Sequence, residues 1–272
     1  MLSKLMSFFL LALVRFLTGA QARWYGCPPK AEQRIYFANH QSHADLVMIW
    51  AALPQELRSI TRPIAARDYW TKTPFRQWIT TAVFNAVYVT RQATPAPAAT
   101  TTTATATAAA EAHADTAAPA PATAIGALSA AVAEADLATA GGPDPAPDAQ
   151  PTEPAPEALR AAVLPDDPLA PLVQALESGD SIVIFPEGTR GHGDEPQPFK
   201  SGLYMLARMF PQVVLVPAWI NNVQRVMPKG EVVPVPILCS VTFGAPIALQ
   251  PGEDRRPFLD RARSAVIALR EI

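Results

Sequence analysis

The most apolar stretch of the chain is its beginning, residues 2–19, LSKLMSFFLLALVRFLTG. The uninterrupted run between Lys4 and Arg15 is ten residues, about half of the roughly 20 a spanning helix needs. On a helix, Ser3, Ser7, Thr18, Lys4 and Arg15 fall in one stripe that Leu11 and Val14 interrupt. That pattern predicts a helix lying in a membrane interface, with its Leu and Phe face in the acyl boundary and its cations toward phosphates. A spanning helix is the first rival. A cleaved secretory signal is the second, because Ala20-Gln21-Ala22 resembles a small-residue cleavage site, but Arg15 sits late for its apolar core.

Beyond residue 22 the periodicity alternates between strand-like and helix-like. Arg34–Ala38 reads as a strand running into a turn at Asn39–Ser42, and Ala44–Leu53 as a helix stopped by Pro54. Residues 59–66 and 84–90 are further strand candidates, rich in β-branched and aromatic residues. A second set follows from residue 169. Leu169–Ser178 is an amphipathic helix ended by Gly179, Ser181–Phe185 a buried-type strand, and Gly202–Phe210 a helix. Val213–Ile220 and Leu238–Phe243 are strands, and Arg256–Glu271 is a terminal amphipathic helix. Strands alternating with helices predict an α/β fold, a single-domain sheet flanked by helices.

Between the two sets the pattern vanishes. Residues 92–165 are almost entirely Ala, Pro, Thr and acids, with no aromatic residue. Such a stretch has too little apolar surface to build a core, so it reads as a disordered insertion. An Ala-rich piece at 127–140 has transient helical character at most. The organisation expected is therefore an interfacial helix over 1–22, a folded domain in two parts over 23–91 and 166–272, and the insertion over 92–165. Removing the insertion leaves about 198 residues, a normal single domain.

Composition changes this picture in one respect. The chain has 272 residues, net charge −2, and 29 prolines, 11 of them in the insertion. The insertion holds eight acids against Arg160, leaving 21 bases and 16 acids elsewhere. The folded part is thus mildly basic, which suits anionic lipid headgroups and falls short of a nucleic-acid footprint. Cys27 and Cys239 lack Cys-x-x-Cys spacing and read as reduced packing residues, so no metal site is expected.

Candidate chemistry sits in two loops. Asn39-His40-Gln41-Ser42-His43-Ala44-Asp45 joins a strand to a helix. An alcohol is a poor nucleophile until its proton is removed, and histidine is the usual base at neutral pH. The base works better when a carboxylate holds its second nitrogen. Asp45, five positions after His40, can fold back to do so from the first helical turn, with Ser42 or His43 capping the helix. His43 is a competing base on the same loop. The spacing by itself is common, and an N-cap beside solvated histidines is the plain alternative.

The second loop is Phe185-Pro186-Glu187-Gly188-Thr189-Arg190, followed by Phe199-Lys200-Ser201-Gly202. A buried strand here delivers a carboxylate, a glycine amide, a hydroxyl and a guanidinium together. Arg190 can hold a phosphate bidentately and Lys200 adds a point charge near a helix start. An ordinary strand and turn with a surface Arg explains the loop equally well if it stands alone.

Taken in order, NHQSHAD, then Tyr88–Arg91 (YVTR), then FPEGTR, then Val216–Ile220 (VPAWI) resemble the four sequence blocks of the glycerolipid acyltransferase family, which includes 1-acylglycerol-3-phosphate acyltransferases. The resemblance covers the chain except the insertion and the first 20 residues. It implies a glycerol-3-phosphate acyltransferase-like fold with a mixed sheet. It implies His40 and Asp45 as the catalytic pair, Arg91 on the acceptor phosphate, and Glu187, Gly188 and Arg190 on the acceptor. Thr189 and Lys200 belong to the same acceptor group, and Val216, Pro217 and Ile220 would lie near the acyl chain. It also implies acyl-CoA or acyl carrier protein as donor, a lysophospholipid acceptor, no cofactor, and work at the cytoplasmic face of the cell membrane. The favoured acceptor is lysophosphatidate. Another lysolipid, or a non-catalytic lipid-binding scaffold, are the alternatives. The chain departs from relatives at Arg76 and Gln77, where a Gly and an aromatic residue are frequent, and at Thr90.

Overall fold

The computed structural model describes residues 2–19, 21–42, 44–89, 154–191, 193, 195–222 and 237–272. His43, Thr90, Arg91, the 127–140 piece and most of the expected insertion lie outside them. The described residues build a seven-stranded mixed sheet in the order β1-β7-β6-β2-β5-β3-β4. Its strands are β1 (Gln21–Trp24), β2 (Arg34–Ala38), β3 (Thr61–Ala66), β4 (Val87–Val89), β5 (Ser181–Ile184), β6 (Val214–Asn221) and β7 (Ser240–Phe243). Strands β6, β2, β5, β3 and β4 run parallel, and β7 turns back antiparallel to β6 with β1 parallel to it. Every residue of β2 and β5 is buried, as expected of central parallel strands covered on both faces.

Helices close those faces. In chain order they are α1 (Leu2–Thr18), α2 (Asp45–Ala52), α3 (Gln55–Ser59), α4 (Arg67–Trp70), α5 (Pro74–Trp78), α6 (Pro156–Ala161), α7 (Ala170–Glu177), α8 (Gly202–Met209) and α9 (Arg255–Ala268). A π-helical turn, Ile79–Val83, follows α5. One core face joins Tyr36, Ala38, Val183, Val216, Ala218 and Phe243 from the sheet to Leu46, Ile49, Trp50 and Leu53 from α2 and its end. Cys27 and Cys239 are buried and unpaired.

Two expectations need correction. Residues 156–161 are helical, not part of a structureless insertion, because Leu159 is buried and Arg160 donates to the Met209 carbonyl while covering the Phe210 ring. A single well-placed Leu and Arg anchor this turn within a composition that otherwise looks unstructured. The second correction concerns α1. Leu10, Leu11 and Val14 pack against the core and Thr18 is buried, so the side carrying Leu11 and Thr18 is turned toward the domain. Arg15 reaches the Ala51 carbonyl of α2 at 3.4 Å instead of pointing at phosphates. What α1 leaves outside is apolar: Leu5, Phe8, Phe9 and Phe16 are 60–86% exposed. Among the described residues no helix is long and apolar enough to cross a membrane.

Candidate active site

Parallel strands place their carboxyl ends, and the loops that follow them, on one edge of a sheet, where ligands of open α/β folds bind. Here β2 and β5 are in register at Phe37 and Ile184, and β2 and β6 at Ala38 and Ala218. The loops after β2 and β5 therefore meet at one edge, beside the end of β6. Asn39 makes the first connection. Its side-chain amide donates to the Ile220 carbonyl at 3.1 Å and accepts from the Ile220 N–H at 2.7 Å. The buried amide thus extends the β2–β6 ladder after the backbone has left it, and the chain can turn at the next residue. Sequence reasoning assigned Asn39 no role.

That next residue is His40. Its Nδ1 lies 2.9 Å from Asp45 Oδ2, so Nδ1 carries the hydrogen and Nε2 keeps its lone pair. The same Asp45 oxygen accepts from the Gln41 and Ser42 N–H groups at 2.6 and 2.8 Å. Asp45 is 1% exposed, at the start of α2, where the helix dipole favours a negative charge. The expected cap by Ser42 is not what forms. The N-cap position is Ala44, without a side-chain bond, and Ser42 Oγ accepts from the Ala44 N–H at 3.2 Å. The carboxylate of Asp45 instead gathers the loop behind it. Phe185 stacks on the His40 ring at 4.4 Å and 18°, fixing the ring plane from its flat side.

Glu187 and Gly188, expected to meet the acceptor, have protein partners here. Glu187 is 1% exposed, and its two carboxylate oxygens accept from the His40 N–H at 2.7 Å and the Gln197 N–H at 2.8 Å. With both oxygens occupied by backbone amides it is a positioning residue for His40. Burial pushes its carboxyl above the ordinary range, and the two amide bonds partly oppose the rise. The Gly191 N–H donates to the His40 carbonyl at 2.8 Å, so the catalytic loop is held on both sides. Gly188 takes a left-handed φ of 67°, and a Cβ there would lie 2.8–2.9 Å from Lys200 Nζ, Cε and Cδ. Its missing side chain makes room for Lys200.

Thr189, Arg190 and Lys200 are exposed around this edge. Arg91 lies outside the described residues. Val216, Pro217 and Ile220 are buried in β6. Val216 and Ile220 belong to the core face beneath α2. Pro217 points to the opposite face, beside the position of Gly244. A groove lined by Leu159, Tyr204, Leu215 and Leu249 opens near the other end of β6, away from His40.

A sequence profile described as Acyltransferase matches residues 27–114 and 166–221. The chain belongs to the acyltransferase family. The matched segments of this acyltransferase contain His40, Asp45, Glu187, Arg190 and Lys200 and leave out α1, β7 and α9. The fold resembles the crystal structure of the 1-acyl-sn-glycerophosphate (LPA) acyltransferase PlsC from Thermotoga maritima. The TM-score is 0.55 at 16% identity, covering 99% of this chain and 78% of that one. No curated protein sequence matches it. One contributor to the site lies beyond the profile. Arg263 of α9 donates to the Pro196 carbonyl at 2.8 Å and to Glu195 at 2.9 Å, pinning the segment whose next amide, that of Gln197, holds Glu187. No pattern around Arg263 marks it in the sequence.

Proposed function

We propose that this acyltransferase moves a fatty acyl group from acyl-CoA or acyl carrier protein to the free hydroxyl of 1-acyl-glycerol-3-phosphate, forming phosphatidate at the cytoplasmic face of the cell membrane. The observation that carries this reading is the His40–Asp45 pair. It presents Nε2 at the edge of the sheet while Asp45 fixes Nδ1 and stands ready to stabilise an imidazolium. Nε2 takes the acceptor's hydroxyl proton as the oxygen attacks the thioester carbonyl. The carbon–sulfur bond then breaks, and the thiolate recovers the proton from His40. Arg190, Lys200 and Arg91 supply positive charge for the acceptor phosphate. The exposed apolar side of α1 supports work at a bilayer, where the lysolipid resides.

The test is to incubate purified protein with acyl-CoA or acyl carrier protein and a panel of lysolipids. Phosphatidate is the expected product. Turnover of a phosphate-free acceptor in preference would move the reading to another lysolipid, and no turnover of any acceptor would end it. Within the panel, Arg190→Ala is expected to raise KM for the phosphate-bearing acceptor at least tenfold with kcat little changed. Arg190→Lys should rescue only part, since the bidentate fork is lost. An acceptor KM equal to that of the wild type removes Arg190 from phosphate binding.

A further inference from the structure

Strand β3 ends at Ala66, two interstrand spacings or about 10 Å along the sheet from β2, on the edge that carries His40. The chain leaving that edge forms α4 and α5. Phe75 there is 61% exposed and stacks on Trp78 at 6.4 Å and 24°. Arg67 and Lys72 are exposed, and the Arg76 guanidinium lies over Tyr69 at 4.8 Å. Asp68 is the one acid between Arg67 and Arg91; from Tyr69 onward this stretch has none. A lone exposed aromatic residue needs no explanation. This one differs because it stands among bases, beside a second aromatic ring, and in a lobe whose π-helical turn contacts α1. Trp70, Ile79 and Val83 lie against the same core face as Leu10, Leu11 and Val14 of α1. The lobe and the helix with the exposed Phe face therefore flank one side of the sheet.

We propose that Arg67–Trp78 is a second bilayer contact. Phe75 and Trp78 sit at headgroup level, as amphipathic and aromatic rings do at membrane interfaces, and Lys72 with Arg67 and Arg76 faces anionic lipid phosphates. The proposal rests on the reading that the enzyme works at a membrane. Its consequence is orientation. A domain held by α1 alone is free to swivel, whereas two contacts joined to one rigid sheet hold the His40 edge toward the lipid. The second contact binds as an intramolecular event once the first has formed.

The experiment uses the full chain with vesicles of phosphatidylcholine alone or with 30% phosphatidylglycerol (a composition chosen for the assay, roughly a physiological anionic fraction). Phe75→Ser is expected to weaken partitioning about tenfold on both vesicles. Lys72→Glu should weaken it about fivefold or more on anionic vesicles only, with the deficit shrinking as salt rises. Turnover of a short-chain, water-soluble acceptor should match the wild type in both variants, while turnover of vesicle-embedded acceptor falls. A paired Phe8→Ser, Phe16→Ser variant of α1 is the control. If that control loses binding while the Phe75 and Lys72 variants bind normally, the lobe is not a contact and the membrane reading stands. Wild-type protein that binds neither vesicle overturns the membrane reading and the lobe with it. Loss of turnover on the soluble acceptor in Phe75→Ser would place Phe75 in the site or the core and overturn the proposal.

Discussion

His40→Ala is expected to lower kcat by about 10²–10⁴-fold or more, with the fold and acceptor binding retained. The ring is partly exposed, so its removal opens no deep cavity, while the Nε2 that faces the edge of the sheet is lost. Asp45→Asn should cost a comparable factor, about 10⁴ at most, for a different reason. An amide oxygen can still accept from the Gln41 and Ser42 N–H groups. The same oxygen would still accept from Nδ1, but an amide carries no charge to stabilise the imidazolium. Single-turnover measurements with saturating donor and acceptor check both variants against wild type, with circular dichroism confirming the fold. An active His40→Ala alongside an inactive His43→Ala would transfer the role of base to His43.

The second large effect is expected at a residue that does not touch substrate. Glu187→Gln should reduce kcat by roughly 10²-fold, the scale expected when a catalytic group is displaced by about 1 Å, while the acceptor KM stays near wild type. Glutamine offers one acceptor oxygen where two amides need one each. Its NH₂ must therefore face either the His40 or the Gln197 N–H, leaving a buried donor unpaired at a cost of about 1–3 kcal/mol. A raised KM with normal kcat would restore Glu187 to the acceptor. A pH signature accompanies the change. Burial holds this carboxyl above its ordinary value of 4.5, so the folded protein binds that proton more tightly than the unfolded chain does. The Glu187 contribution therefore makes wild-type stability decline as pH rises from about 4.5 to the higher folded value, and it is constant above that. Denaturant unfolding of the Gln variant should lack this component.

The split between what the sequence disclosed and what it concealed has a physical pattern. The strand at Arg34–Ala38 appears at its predicted limits, and those around Ser181 and Val214 lie within a residue of theirs, because buried parallel strands are runs of Val, Ile and aromatic residues. His40 and Asp45 were readable because their partnership depends on two side chains at short spacing. The partners of Glu187 were not readable because they are backbone amides, which no residue pattern displays. Asn39 was passed over for the same reason, since its partners are the backbone groups of Ile220. Strand β1 went unseen because Gln21–Trp24 is short, half exposed and takes its place only by pairing with Ser240–Phe243. Helix α6 was concealed by the Ala and Pro around it, where only Leu159 and Arg160 make contacts that matter.

The bond between Glu187 and the His40 amide joins residues 147 positions apart, and β2 lies between β5 and β6, both made later in the chain. Synthesis runs from the N-terminus, at about 5–20 residues per second. For roughly 7–30 s after His40 emerges, the apolar run Ile35-Tyr36-Phe37 therefore has neither neighbouring strand, and the catalytic loop has no carboxylate to hold it. Both edges of the central strand stay open through that interval, the condition under which unpaired strands recruit wrong partners. The sheet is thus closed late at its centre, where β5 enters between β2 and β3, and the carboxylate that holds the His40 loop arrives with it.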